Sequence, residues 1–122
     1  MKVPQSTGDV ERYITAGESM KVEFKSDRRQ AVSDREIFET AVCLANAEGG
    51  LILIGVAGDG KVTGTRPRHN NSTDPHLLQA AIFNNTSPPI NTCVSLHTVQ
   101  GKTALAIEVV LRAGLNGGER PK

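Results

Sequence analysis

Hydrophobic residues recur along this chain with changing periods, and each period predicts an element. In VERYITAGES, residues 10–19, Val10, Tyr13 and Ile14 fall on one side of a short helical turn that Gly17 stops. MKVEFKS, residues 20–26, alternates: Val22 and Phe24 face one way, Lys21, Glu23 and Lys25 the other, the period of a half-buried strand. From Asp34 to about Ala47, Ile37, Phe38, Ala41, Val42, Leu44 and Ala45 return at helical spacing. Ser33 stands before them with Glu36 three residues on, the spacing of a capping box, and Gly49-Gly50 supplies a left-handed stop. Leu51 to Val56 is apolar or glycine throughout, as expected of a strand buried on both faces.

Beyond it, Ala57-Gly58-Asp59-Gly60 has turn chemistry, and residues 61–64 read as a return strand. Asp74-Pro75 opens a further helix as cap and first-turn proline, with Leu77, Leu78, Ala81 and Ile82 apolar. Cys93 to Val99 alternates, residues 100–102 turn, and Ala104 to Leu111 returns as the second arm of a C-terminal hairpin. The expected architecture is therefore α+β: a compact single domain with a mixed β-sheet, two main helices and a C-terminal β-hairpin. Residues 1–8 read as a flexible lead-in, 9–112 as the domain, and 113–122 as a Gly-rich tail that could be the truncated end of the domain.

Composition narrows the function classes. With 122 residues, 38% hydrophobic but only 3% aromatic, the core must be aliphatic. A formal net charge of +1 is no polybasic coat, so any nucleic-acid site has to be a local patch. Cys43 and Cys93 are too far apart for a C-x-x-C metal pair, and Cys43 reads as a packing residue. His76 and His97 read as surface residues without zinc-ligand spacing. The first residues lack the apolar core of a signal peptide, and no segment reaches spanning length, so a cytoplasmic, membrane-free protein is expected.

Gly55 and Gly60-Lys61 come close to the G-x-x-x-x-G-K-[ST] loop that wraps nucleotide phosphates. Such a loop needs a helix immediately after it. Here Val62-Thr63-Gly64-Thr65-Arg66-Pro67 follows, Val62 stands where a hydroxyl should meet the cation, and Asp59 would put a negative charge inside the cradle. A tight β-turn is the better reading.

Several pieces recur in order: Gly17-Glu18 followed by Val22-Glu23-Phe24-Lys25, Leu44-Ala45-Asn46 running into Glu48-Gly49-Gly50, the strand 51–56, and a turn closed at Gly60 and Gly64. Later come Ser87-Pro88-Pro89-Ile90 and the hairpin arm ending Ile107-Glu108-Val109-Val110. The set, from about residue 9 to 112, resembles the Schlafen AlbA-like domain family. That resemblance implies a DNA-binding module of a regulatory protein. In the Schlafen branch it also implies a metal-dependent ribonuclease built on two glutamates at the spacing of Glu18 and Glu23 plus an aspartate after the central strand. This sequence departs there, with Ala57 and Gly58 at the expected places and Asp59 as the nearest acid.

The leading expectation is nucleic-acid binding, DNA favoured over RNA, through Lys21, Lys25, Arg28, Arg29 and Arg35 around one loop and Arg66 and Arg68 in another. Phe24, Phe38 and Tyr13 read as core-facing, so backbone contacts of weak specificity fit better than base stacking. No cofactor is expected for that role. The alternatives are a Mg²⁺- or Mn²⁺-dependent endoribonuclease with Glu18, Glu23 and Asp59 as catalytic residues and the two glutamates as metal ligands, and an interaction or homodimerisation module that pairs through exposed hairpin edges. Against the nuclease, Glu23 also reads as an outward strand residue paired with Lys21 or Lys25, and Glu18 as a turn residue.

Overall fold

The structure, a computed structural model, describes residues 4–110. Seven elements follow in order: α1 (Thr7–Ala16), β1 (Val22–Lys25), α2 (Asp34–Asn46), β2 (Gly50–Ile54), α3 (Pro75–Asn84), β3 (Thr92–Val99) and β4 (Lys102–Val109). The strands form one mixed sheet in the order β1-β2-β4-β3, with β1 and β2 parallel and the remaining neighbours antiparallel. The long connection that a parallel pair requires is supplied by α2. This is the α+β class expected, with three helices. The N-terminal one is a full ten residues, as long as α3, and not a short turn. It opens at Thr7, where the Ser6 side chain caps the Asp9 N–H, inside the stretch read as a lead-in. The tail 113–122 lies outside the described residues.

Alternation along the strands divides the interior into two apolar layers. Ile52 and Ile54 of β2 and Leu105 and Ile107 of β4 pack with Ile37 of α2 and Ile82 of α3. Leu51, Leu53, Val22 and Phe24 point the other way and pack with Val10 of α1. With helices on both faces and a paired strand on each side, β2 has no solvent-facing position, which is why its sequence shows no alternation.

The glycines of the α2–β2 junction divide the work. Gly49, at φ 78°, takes the left-handed stop and donates its N–H to Leu44 O at 2.7 Å. Gly50 already belongs to β2, and a Cβ there would sit 2.4 Å from Lys21 O, a backbone atom that cannot yield. Only half of the predicted capping box forms: Ser33 Oγ accepts from Glu36 N, while the Glu36 carboxylate turns to Lys25 Nζ at 3.1 Å. The return strand expected over residues 61–64 shrinks to a single bridge, Val56 to Val62. The chain then leaves toward β4, with Gly64 at φ 89° and Thr65 N–H bound to Thr103 O at 2.7 Å.

Both sheet edges carry side-chain or turn partners. On β1, Ser19 bridges to Val22 and Glu18 Oε2 accepts from Phe24 N at 2.9 Å. On β3, Gln79 Oε1 of α3 accepts from Val94 N at 2.9 Å, and Thr7 Oγ1 of α1 donates to Thr98 O at 3.0 Å. These contacts blunt the template that strand addition would need.

β3 also places His97, half-buried, with Nε2 2.8 Å from Ser95 Oγ. Desolvation holds its pKa below the ordinary value of 6.5, with Asp9 pulling weakly the other way. Between the folded value and 6.5 the unfolded chain therefore binds more protons, so stability rises with pH across that window, is fully present above it, and is lost as pH falls through the folded value. Urea melts as a function of pH are expected to show this rise, and His97→Gln to flatten it.

Candidate nucleic-acid interface

An open groove of about 710 Å³ lies between the loop after β1 and the 57–63 reversal. The loop exists because of Asp27. Its side chain is 0% exposed, yet all its bonds are local to the two segments it joins. Oδ1 accepts from Val32 N at 2.7 Å, and Oδ2 accepts from Arg66 N at 2.8 Å and from Thr65 Oγ1 at 3.0 Å. A buried carboxylate is tolerable only when it is satisfied in this way. Residues 26–32 are thereby tied to residues 65–66.

The predicted basic residues divide into two sets. Arg28 and Arg29 are exposed on the groove wall, and neither guanidinium has a partner among the described residues. The others are engaged. Lys25 lines the same groove but pairs with Glu36 and, at 3.8 Å, with Glu23. Lys21 pairs with Glu48 at 3.0 Å and Arg35 with Glu39 at 3.1 Å. Arg66 donates from Nε to Asp27 O and from Nη2 to Arg28 O, both at 2.6 Å. Arg68 donates from Nη2 to Val32 O at 2.6 Å and to Asp34 Oδ1 at 2.8 Å, and its Nε is buried without a partner. His69, beside it, accepts from Asp74 N through Nδ1.

Lys61 joins Arg28 and Arg29 across the groove, its ammonium unpaired among the described residues. The sequence signal for it was present in the near-miss phosphate loop, but that motif fails as a nucleotide site and hides a lysine facing a different wall. Four cations, Lys25, Arg28, Arg29 and Lys61, and two carboxylates, Glu36 and Asp59, line the groove, so its balance is positive. The single aromatic on its wall is Phe24, 5% exposed and therefore no stacking platform.

The candidate catalytic carboxylates sit apart from one another in role. Glu18 closes the β1 edge through Oε2, with Oε1 beside Gly58. Glu23, on the α2 side of β1, faces Lys25. Asp59 turns inward on its own loop and accepts from Lys61 N at 2.9 Å. Among the described residues no three His, Cys, Asp or Glu side chains converge to hold a metal ion, so the set does not fit the divalent cation that the ribonuclease reading requires. A structural role for Glu18 has a direct consequence. Glu18→Gln keeps an oxygen for Phe24 N–H and is expected to change stability by less than about 0.5 kcal/mol, while Glu18→Ala is expected to lose about 1 kcal/mol in urea denaturation.

Cys43, read above as a packing residue, is exposed, as is Cys93; α2 turns Ile37, Ala41, Leu44 and Ala45 inward and leaves Cys43 outside that stripe. No helix among the described residues is long and apolar enough to cross a membrane.

The fold recurs in solved structures. It matches the DIP2311 protein from Corynebacterium diphtheriae with a TM-score of 0.61 and 22% identity, over 89% of this chain and 22% of that one. It matches the N-terminal domain of a protein from Nitrosomonas europaea described as related to the ATP-dependent DNA helicase RecG, with a TM-score of 0.53 and 23% identity, over 88% of this chain and 74% of that one. This chain thus spans about a fifth of the Corynebacterium protein. A search of curated proteins gives no match. The family model for Schlafen, AlbA_2 matches residues 18–112, a span that takes in all four strands of the sheet, and the chain belongs to that family.

Proposed function

We propose that the groove binds the sugar-phosphate backbone of nucleic acid, duplex DNA in the first place, and that the domain serves as the DNA-binding module of a regulatory protein. The observation that carries this reading is the gathering of Arg28, Arg29 and Lys61, unpaired, on one open concavity while the other basic residues considered are engaged within the domain. Phosphate contacts need several free donors on one face, and this groove offers them without a platform for bases. Membership of the Schlafen, AlbA_2 family supports a nucleic-acid-related role, as does the fold shared with a domain of a protein related to a DNA helicase. The blunted sheet edges disfavour the strand-pairing interaction module, so a dimer would have to use another surface.

The test is fluorescence anisotropy of labelled duplex DNA and of an RNA hairpin against salt, with Mn²⁺ present and the probe run on a gel afterwards. Intact duplex that is bound, with log K falling against log salt at a slope of about −3, is the expected result for three released counterion sites. Tighter binding of the RNA hairpin would reassign the ligand. Cleavage that needs the metal and disappears in Glu23→Ala would replace this reading with the ribonuclease. Absence of binding at low salt would remove both.

A further inference from the structure

We infer that the main chain of residues 28–31 is itself a seat for one phosphate group, and that Arg66 positions that seat instead of contacting the ligand. The inference rests on the nucleic-acid reading above and names how the same groove takes hold of its ligand. Arg29, Gln30 and Ala31 all line the groove, and their backbone N–H groups have no acceptor among the described residues. The amides on either side are satisfied: Arg28 N donates to Ser26 Oγ at 3.2 Å and Val32 N to Asp27 Oδ1. Three consecutive amides without a protein acceptor thus stand on a wall that also carries two unpaired guanidiniums, and main-chain N–H groups of a turn are donors that an anion can collect.

Arg66 gives this loop its orientation. Its Nη2 draws the Arg28 carbonyl toward the 65–68 segment. Because the peptide unit is planar and trans, the N–H of Arg29, which shares that unit, must point the opposite way. Nε performs the same task one residue earlier, at Asp27 O. A lysine cannot replace this fork, since an ammonium lacks the fixed pair of donors that spans two successive carbonyls. Arg66 is therefore a positioning residue, and its charge is not counted among the phosphate contacts.

Two arms test the inference on the whole chain. In the first, amide ¹H–¹⁵N spectra are followed with inorganic phosphate, and with chloride at matched ionic strength. Saturable shifts of Arg29, Gln30 and Ala31 with phosphate alone are expected, weakened about tenfold in Arg66→Lys. In the second, duplex DNA binding by Arg66→Lys and Arg66→Ala is measured against salt. Affinity is expected to fall in both with the salt slope unchanged, because no cation that contacts a phosphate has been removed. A slope reduced by about one in Arg66→Ala would mean a direct contact and overturn the positioning role. Unmoved amides in the wild-type chain would overturn the seat, whether or not the variants fold. Duplex binding without an amide response keeps the functional reading and removes the seat; a phosphate response without duplex binding does the reverse.

Discussion

Asp27→Ala is expected to destabilise the domain by about 3 kcal/mol, lowering the melting temperature by roughly 15 °C. The carboxylate is fully buried and is the common acceptor for Val32 N, Arg66 N and Thr65 Oγ1. Truncation removes three charge-assisted bonds and leaves the buried Val32 amide and the part-buried Arg66 amide without acceptors, and an orphaned amide costs about 1–3 kcal/mol where water cannot enter. Asp27→Asn should lose about half as much. One oxygen can still accept, but the amide nitrogen would meet a donor on the Val32 side or on the Arg66 side. Thermal melts followed by circular dichroism decide the matter, and a loss below about 1 kcal/mol for alanine would mean that the loop does not depend on this residue. The same variant should weaken duplex binding even where it is folded, since the loop carrying Arg28 and Arg29 would no longer be tied down.

Removing the three unpaired cations together, Arg28→Ala, Arg29→Ala and Lys61→Ala, is expected to leave the melting temperature near its original value while reducing duplex affinity about 500-fold at 0.1 M salt. Each phosphate contact contributes about 0.9 to the salt slope, so three contribute about 2.7, which at that concentration is the stated factor relative to 1 M. The three side chains make no hydrogen bond or ion pair within the described residues, so the fold loses little with them. The control is Lys21→Ala with Arg35→Ala. Both are basic and exposed, but they pair with Glu48 and Glu39 outside the groove, and their removal should leave binding almost unchanged. Equal losses in the two sets would mean that net charge, and not the groove, governs binding.

Much of the framework was legible because its determinants are local. Ser33 and Asp74-Pro75 announce helix starts, Gly17 and Gly49 announce stops, and the parity of Val22 and Phe24 gives the buried side of β1. The site was less legible because its determinants are distant in sequence. In sequence Asp27 is one acid beside Lys25, Arg28 and Arg29; its partners in Thr65 and Arg66 lie 38 and 39 positions away and leave no periodic trace. Arg66 and Arg68 looked as free as Arg28, and only their capture of carbonyls at Asp27, Arg28 and Val32 separates the two kinds of arginine. Lys61 was visible as a residue but was tied to a motif that does not form.

The Gln100-Gly101 turn, with φ of 54° and 75°, has a consequence for the order in which the chain assembles. A two-residue turn of this hand joins strands at almost no loop-closure cost, so the β3–β4 ribbon is expected to form within microseconds. β2 pairs with β4 across some fifty positions and with β1 across some thirty, so both pairings close against a larger loss of chain entropy than the hairpin does. The groove depends on the β1–β2 pairing, since Phe24 and Lys25 of β1 are part of its wall. A nascent or partly unfolded chain would thus hold its hairpin before its groove, so that under the proposed function binding of nucleic acid would report folding beyond the hairpin.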